Sequence, residues 1–168
     1  EIIPLCKEHE AFLVFDDRVE LAMEMGVHGV HLGKNDMDPL QARETMGAEA
    51  IIGITANTAE DILKYKGRDV DYVGLGPYRF TTTKANLSPV LGTEGYADIV
   101  KTVRDADMLL PIVAIGGIGV EDIPALMSTG INGVAVSGSI INAHDPIAYT
   151  RLLLDTLNET VSALRKKS

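Results

Sequence analysis

Apolar residues along this chain come in short unbroken runs, separated by longer stretches in which apolar and polar positions alternate every three or four residues. The runs fall at residues 12–15, 29–32, 50–54, 72–75, 112–115 and 133–136, and each is rich in Val, Ile, Leu or Phe. They are too short for helices, and apolar residues on consecutive positions are the pattern of parallel strands buried on both faces. The intervening stretches read as helices. One covers residues 18–25 and stops at Gly26. A second covers 39–46, with Asp38 as N-cap and Pro39 at the first helical position. Thr58 caps a third that runs to about residue 65. Others cover 94–104 and 120–128, the latter ending near Gly130, and the last follows Asp145-Pro146 to about residue 164. Strands alternating with helices predict a parallel βα array.

Six strands would suit a doubly wound sheet, but the last two units favour a barrel. The segments P-I-V-A-I-G-G-I (111–118) and G-V-A-V-S-G-S-I-I (133–141) end two consecutive strands on glycines, and the second runs into a short helix. That pattern matches the phosphate site found after strands 7 and 8 of TIM barrels. On this numbering the visible strands are 3 to 8, and E-I-I-P-L-C-K-E-H lies inside helix 2. The expectation is an α/β chain forming one (β/α)8 barrel domain over residues 1–168. It would be N-terminally incomplete, with the first two βα units absent, because six strands alone would leave open edges.

Composition narrows the class of protein. A length of 168 residues, 46% hydrophobic, fits one domain with a packed core. No apolar run approaches the roughly 20 residues needed to span a bilayer, and no signal-peptide pattern opens the chain. The single cysteine, Cys6, excludes an internal disulfide and is expected to be a small buried hydrophobe. The formal net charge is −9, and the 15 basic residues are scattered apart from Arg165-Lys166-Lys167. That cluster suits a helix C-terminus, and the lack of a basic face speaks against nucleic acid. An acidic protein still binds phosphorylated molecules when amides, a few cations or a metal supply local positive charge. The expected partners are therefore small phosphorylated molecules, with neither nucleic acid nor membrane. The expected location is cytoplasmic, and a homodimer is a permitted assembly.

Several residues carry candidate chemistry. Asp16 and Asp17 end the first strand, and Asp36 follows the second in H-L-G-K-N-D. Neighbouring parallel strands lie about 4.8 Å apart, so carboxylates just beyond their ends can share one Mg2+ with substrate phosphates. The alternative is helix capping, by Asp16 or Asp17 before Arg18 and by Asp36 or Asp38 before Pro39. Residues 74–92, G-L-G-P-Y-R-F-T-T-T-K-A-N-L-S-P-V-L-G, form a long loop, which in a compact domain is usually functional. Thr81, Thr82, Thr83 and Lys84 there supply hydroxyls and a cation suited to phosphate. Gly116-Gly117 and Ser137-Gly138-Ser139 offer backbone amides to a second phosphate. Thr55 and Asn57 either bond a substrate ring or close a turn. His28 and His31 read as packing or structural residues, and His9 and His144 as surface residues.

The ordered set V-F-D-D-R-V-E-L-A, G-V-H-L-G-K-N-D, I-I-G-I-T-A-N-T, Y-V-G-L-G-P followed by T-T-T-K and L-G, I-V-A-I-G-G-I and G-V-A-V-S-G-S-I resembles the thiamine-phosphate synthase family across nearly the whole chain. That resemblance implies coupling of hydroxymethylpyrimidine diphosphate to a thiazole phosphate, with loss of pyrophosphate and dependence on Mg2+. It implies that Asp17 and Asp36 are magnesium ligands and that Asp16 and Thr55 contact the pyrimidine. Lys84 would bind its diphosphate, Thr81, Thr82 and Thr83 would line the thiazole phosphate site, and Gly117, Ser137 and Gly138 would bind that phosphate. Asp16 stands where the family usually has asparagine, and Gly138 where serine is common. The family's Gln-x-Arg-x-Lys segment is expected before Glu1. The sister activity, thiazole tautomerisation, resembles the synthase but relies on a histidine near Thr55-Ala56-Asn57, where this chain has none. A non-catalytic barrel binding a phosphorylated ligand is the alternative from another class.

Overall fold

The computed structural model describes residues 2–80 and 89–166. Along the chain lie α1 (Ile2–Glu8), β1 (Val14–Asp16), α2 (Val19–Met25), β2 (Gly29–Leu32), α3 (Pro39–Met46), β3 (Ile51–Ala56) and α4 (Ala59–Leu63). There follow β4 (Tyr72–Leu75), α5 (Gly92–Asp105), β5 (Ile112–Ile115), a 3-10 turn (Val120–Asp122), α6 (Ile123–Ser128), β6 (Gly133–Ala135), α7 (Gly138–Ile141) and α8 (Pro146–Arg165). The strands form one parallel sheet in the order β1-β2-β3-β4-β5-β6, so every strand pairs with its neighbours in sequence. The sheet curls as part of a barrel wall. No helix among the described residues is long and apolar enough to cross a membrane.

Local signals explain the helices. Asp38 accepts the Leu40 N–H at 2.9 Å and Pro39 opens α3. Thr58 and Asp61 form a reciprocal capping box on α4. Gly26 closes α2 at φ 61°, a left-handed conformation that glycine adopts without a Cβ penalty. Asp145 accepts the Ala148 N–H at 2.9 Å at the start of α8.

Strand register sorts the side chains into two faces. Val30, Leu32, Ile52, Ile54, Val73, Leu75, Ile112 and Ala114 face the helices, and each is at most 2% exposed. Burial of such side chains is the main force holding the layers together, at about 1.5–3 kcal/mol each. The opposite, concave face carries Asp16, His31, Thr55, Tyr72 and Val113, together with Gly53 and Gly74. This corrects the expectation of strands apolar on both faces: only the helix side is an apolar core.

Three further expectations shift. Phe12 lies outside β1, is 72% exposed, and meets His28 edge-on at 5.2 Å. The helix expected over 120–128 divides into the 3-10 turn and α6, with Pro124 in the first turn of α6. Cys6 is half-buried, on a helix with no fully buried residue, rather than in the core.

Candidate active site at the strand ends

A cavity of about 1240 Å3 opens over the C-terminal ends of all six strands. At the β1–β2 end lie Asp16, Asp17 and Asp36. Neither Asp16 nor Asp17 caps α2, whose N-terminus makes no side-chain capping bond. Asp17 holds a left-handed backbone at φ 54°. Non-glycine residues in that region cost of order 1 kcal/mol or more and concentrate at functional sites. Its N–H donates to His31 O at 3.0 Å, which fixes the turn, and its carboxylate stays half-exposed beside Arg18 Nε at 3.4 Å. Asp36 accepts the Gly33 N–H at 2.6 Å, while the capping of α3 falls to Asp38. Both carboxylates therefore border the cavity on adjacent strand ends. That donor set fits a divalent cation of the Mg2+ type, which takes one or two carboxylates plus phosphate oxygens and water. Among the described residues no group of three or more His, Cys, Asp or Glu side chains converges on one point.

The centre of the cavity is a hydrogen-bonded trio. His31 Nε2 pairs with Thr55 Oγ1 at 2.9 Å, and His31 Nδ1 pairs with the Tyr72 hydroxyl at 3.0 Å. Glycines make room for it. A methyl on Gly53 would lie 2.1 Å from Tyr72 Cζ, and one on Gly74 would lie 2.9 Å from His31 Cε1. Burial pushes the Tyr72 phenol above its ordinary pKa, with the negative charge of Asp16 adding to the effect. His31 therefore lines the cavity and is held on both ring nitrogens, whereas His28 is structural and accepts the Leu13 N–H at 2.9 Å. Asn57 also borders the cavity, where its side-chain amide donates to Gly76 O beyond β4 and its N–H donates to Asp61 at 2.9 Å. Thr55 alone of that pair presents its hydroxyl to the trio.

The β5–β6 end is built from glycine and serine. Gly116 and Gly117 hold φ 90° and 69°, conformations open to glycine at little cost. Ser137 precedes α7 without capping it, so its hydroxyl is not committed to that helix. Ser139 Oγ is buried beside it with no hydrogen-bond partner among the described residues. The structure therefore gathers Asp16, Asp17, Asp36, Thr55, Gly117, Ser137 and Gly138 around one cavity. Thr81, Thr82, Thr83 and Lys84 lie outside the described residues. Sequence reasoning missed His31, Tyr72, Lys34 and Arg79, all of which border the cavity. Gly53 and Gly74, facing the same side of neighbouring strands, were the available signal that a large side chain fills the space between.

The thiamine monophosphate synthase family profile matches residues 1–140. A thiamine-phosphate synthase of Bacteroides thetaiotaomicron is 56% identical over 155 residues, covering 92% of this chain and 74% of the relative. One from Bacteroides fragilis is 54% identical over 155 residues, covering 92% and 76%. The solved thiamine phosphate pyrophosphorylase of Pyrococcus furiosus superposes with a TM-score of 0.80 at 31% identity, over 94% of this chain and 72% of that one. With its motifs in order on one cavity and this degree of identity, the chain belongs to the thiamine monophosphate synthase family.

Proposed function

We propose that this protein is a thiamine-phosphate synthase, coupling 4-amino-2-methyl-5-hydroxymethylpyrimidine diphosphate to 4-methyl-5-(2-phosphooxyethyl)thiazole with release of pyrophosphate. The observation that carries the reading is a single cavity with a carboxylate end and a glycine-serine end, in a chain 56% identical to a thiamine-phosphate synthase. Two substrates with phosphates at opposite ends meet in the middle, beside His31, Thr55 and Tyr72. We read the six strands as strands 3 to 8 of a (β/α)8 barrel and residues 1–168 as one domain. The glycine-bearing segments after β5 and β6 support that numbering, because (β/α)8 barrels commonly bind phosphate after their last two strands, and a cytoplasmic location belongs to the same proposal.

In this reading Asp17 and Asp36 hold Mg2+, and Asp16 and Thr55 contact the pyrimidine. Bound Mg2+ would supply positive charge against the departing pyrophosphate. Lys84 adds a cation to the same group. Gly117, Ser137 and Gly138 anchor the thiazole phosphate, with Thr81, Thr82 and Thr83 lining its site. Anchoring both substrates aligns the thiazole nitrogen with the pyrimidine methylene as the carbon–oxygen bond to pyrophosphate breaks, a proximity effect that needs no protein nucleophile.

The test is a coupling assay with purified protein. Thiamine phosphate should form with Mg2+ and not in excess chelator. Asp17→Ala and Asp36→Ala should each lower turnover by roughly a hundredfold or more at limiting metal. Full activity in both variants would remove the metal assignment. Tautomerisation of the thiazole without coupling would replace the synthase reading with the sister activity, and binding of both phosphates without turnover would leave a binding barrel.

A further inference from the structure

We infer that Arg79 is a positioning residue that presets the glycine cradle at the β5 end, acting through the buried carboxylate of Asp122; the inference rests on the thiazole-phosphate assignment above. Arg79 lies on the loop after β4, opposite the glycine pair that follows β5. Its N–H donates to Gly116 O at 3.0 Å, one step beyond the Tyr78 N–H bond to Ile115 O at 2.9 Å, so the two loops stay paired past the strands. Gly117 packs against it: a methyl on Gly117 would lie 2.9 Å from Arg79 Cβ. The guanidinium grips Asp122 with both terminal nitrogens, Nη2 to Oδ1 at 2.6 Å and Nη1 to Oδ2 at 2.9 Å. Asp122 is 3% exposed, and its Oδ2 also accepts the Gly119 N–H at 2.9 Å. These contacts close a ring through residues 79, 116, 117, 119 and 122. Beyond it, the Val120 N–H donates to the Tyr149 hydroxyl of α8 at 3.1 Å.

The physical consequence concerns backbone freedom. A G-G-I-G run, three-quarters glycine, has more backbone freedom to lose than an ordinary loop of its length, and ordering it at the moment of binding would weaken affinity. The Arg79–Asp122 pair orders it beforehand. Attraction of the phosphate by Arg79 is the weaker account. The one guanidinium faces two carboxylates, Asp122 and Glu121, the latter at 3.4 Å, so the cluster offers an incoming dianion no net positive charge. A planar two-pronged donor matches a carboxylate in a way that an ammonium does not, which separates the two accounts experimentally.

The experiment uses the full-length protein, with the thiazole phosphate and the pyrimidine diphosphate each titrated by calorimetry and each varied in steady-state assays. Two variants are compared: Arg79→Lys, which keeps the charge, and the paired Arg79→Met/Asp122→Asn, which avoids leaving a buried carboxylate alone. Both should weaken Kd and raise KM for the thiazole phosphate by roughly tenfold or more. Both should leave Kd for the pyrimidine diphosphate within about twofold and kcat at saturation within about threefold. Wild-type affinity for the thiazole phosphate in Arg79→Lys overturns the inference, as does equal weakening for both substrates. A wild-type protein that binds both substrates without coupling them overturns the synthase reading, while the selective loss in the variants still supports the positioning role.

Discussion

Asp61 shows how much one side chain holds, since it fixes Lys34 and Asn57, both of which line the cavity. It binds the Lys34 ammonium at 2.5 Å and accepts the amides of Asn57 at 2.9 Å and Thr58 at 3.2 Å. Burial alone would raise its pKa, but the bonds to Lys34 and the two amides outweigh burial and hold it below the usual carboxylate range. A depressed folded-state pKa means that the stabilisation is present above the unfolded value, near 4, and is lost as pH falls through the folded one. Asp61→Asn should therefore cost about 1–2 kcal/mol at pH 7, read as a lower urea midpoint. The gap between the two proteins should close on acidification below about pH 4; a gap unchanged down to pH 2 would refute the assignment. At this scale the sequence made the carboxylates legible, because Asp16, Asp17 and Asp36 stand next to strand ends that periodicity locates. It hid the Arg79–Asp122 pair, whose members lie 43 residues apart and meet only once β4 and β5 are neighbours.

The elements divide their work between the two ends of the sheet. At the ends opposite the cavity, Arg43 from α3 is 7% exposed and bonds Asp71 at 2.7 Å and the carbonyls of Gly47 and Ala48 at 3.2 and 3.1 Å. Asp71 in turn accepts the Ile52 N–H at 2.7 Å, so one arginine ties α3 to the starts of β3 and β4. Arg43→Met should lower stability by about 1–3 kcal/mol in chemical denaturation, since the carbonyls of Gly47 and Ala48 lose their donor while the partly exposed Asp71 keeps water and the Ile52 N–H, with KM for either substrate unchanged. A shift in KM would mean that the two ends are coupled. On the cavity side, Gly53→Ala should displace the Tyr72 ring and cost about 1–3 kcal/mol together with activity; an intact His31–Tyr72 contact in the variant's structure would refute that. Strand positions were readable from apolar runs, and helix starts from Asp38, Thr58 and Asp145. The polar face of the strands was not readable, because Gly53, Gly74 and His31 sit singly among Val, Ile and Leu. One glycine between two isoleucines reads as part of an apolar run until a neighbouring strand supplies the tyrosine that covers it.

For the molecule as a whole, β1 and β6 are the edges of the sheet and are three residues long, while β2 to β5 have a neighbour on each side. Backbone amides of β3 and β4 should accordingly be the slowest to exchange with deuterium, and those of β1 and β6 the fastest among the strands, by roughly a hundredfold or more. Equal protection across the sheet in a preparation limited to residues 1–168 would show that the edges are covered by something further.

The sequential strand order also sets a direction in time. Because each strand meets only the one before it and the one after it, a chain leaving the ribosome can add one βα unit at a time to a growing edge, without waiting for a distant partner. The carboxylate corner made by Asp17 and Asp36 is then assembled early. The Ser137-Gly138 corner is assembled last, when β6 docks on β5 and α8 brings Tyr149 to Val120. Pulse-labelled hydrogen exchange during refolding should find β2–β3 amides protected before those of β6. Simultaneous protection would mean that the sheet closes as one cooperative unit.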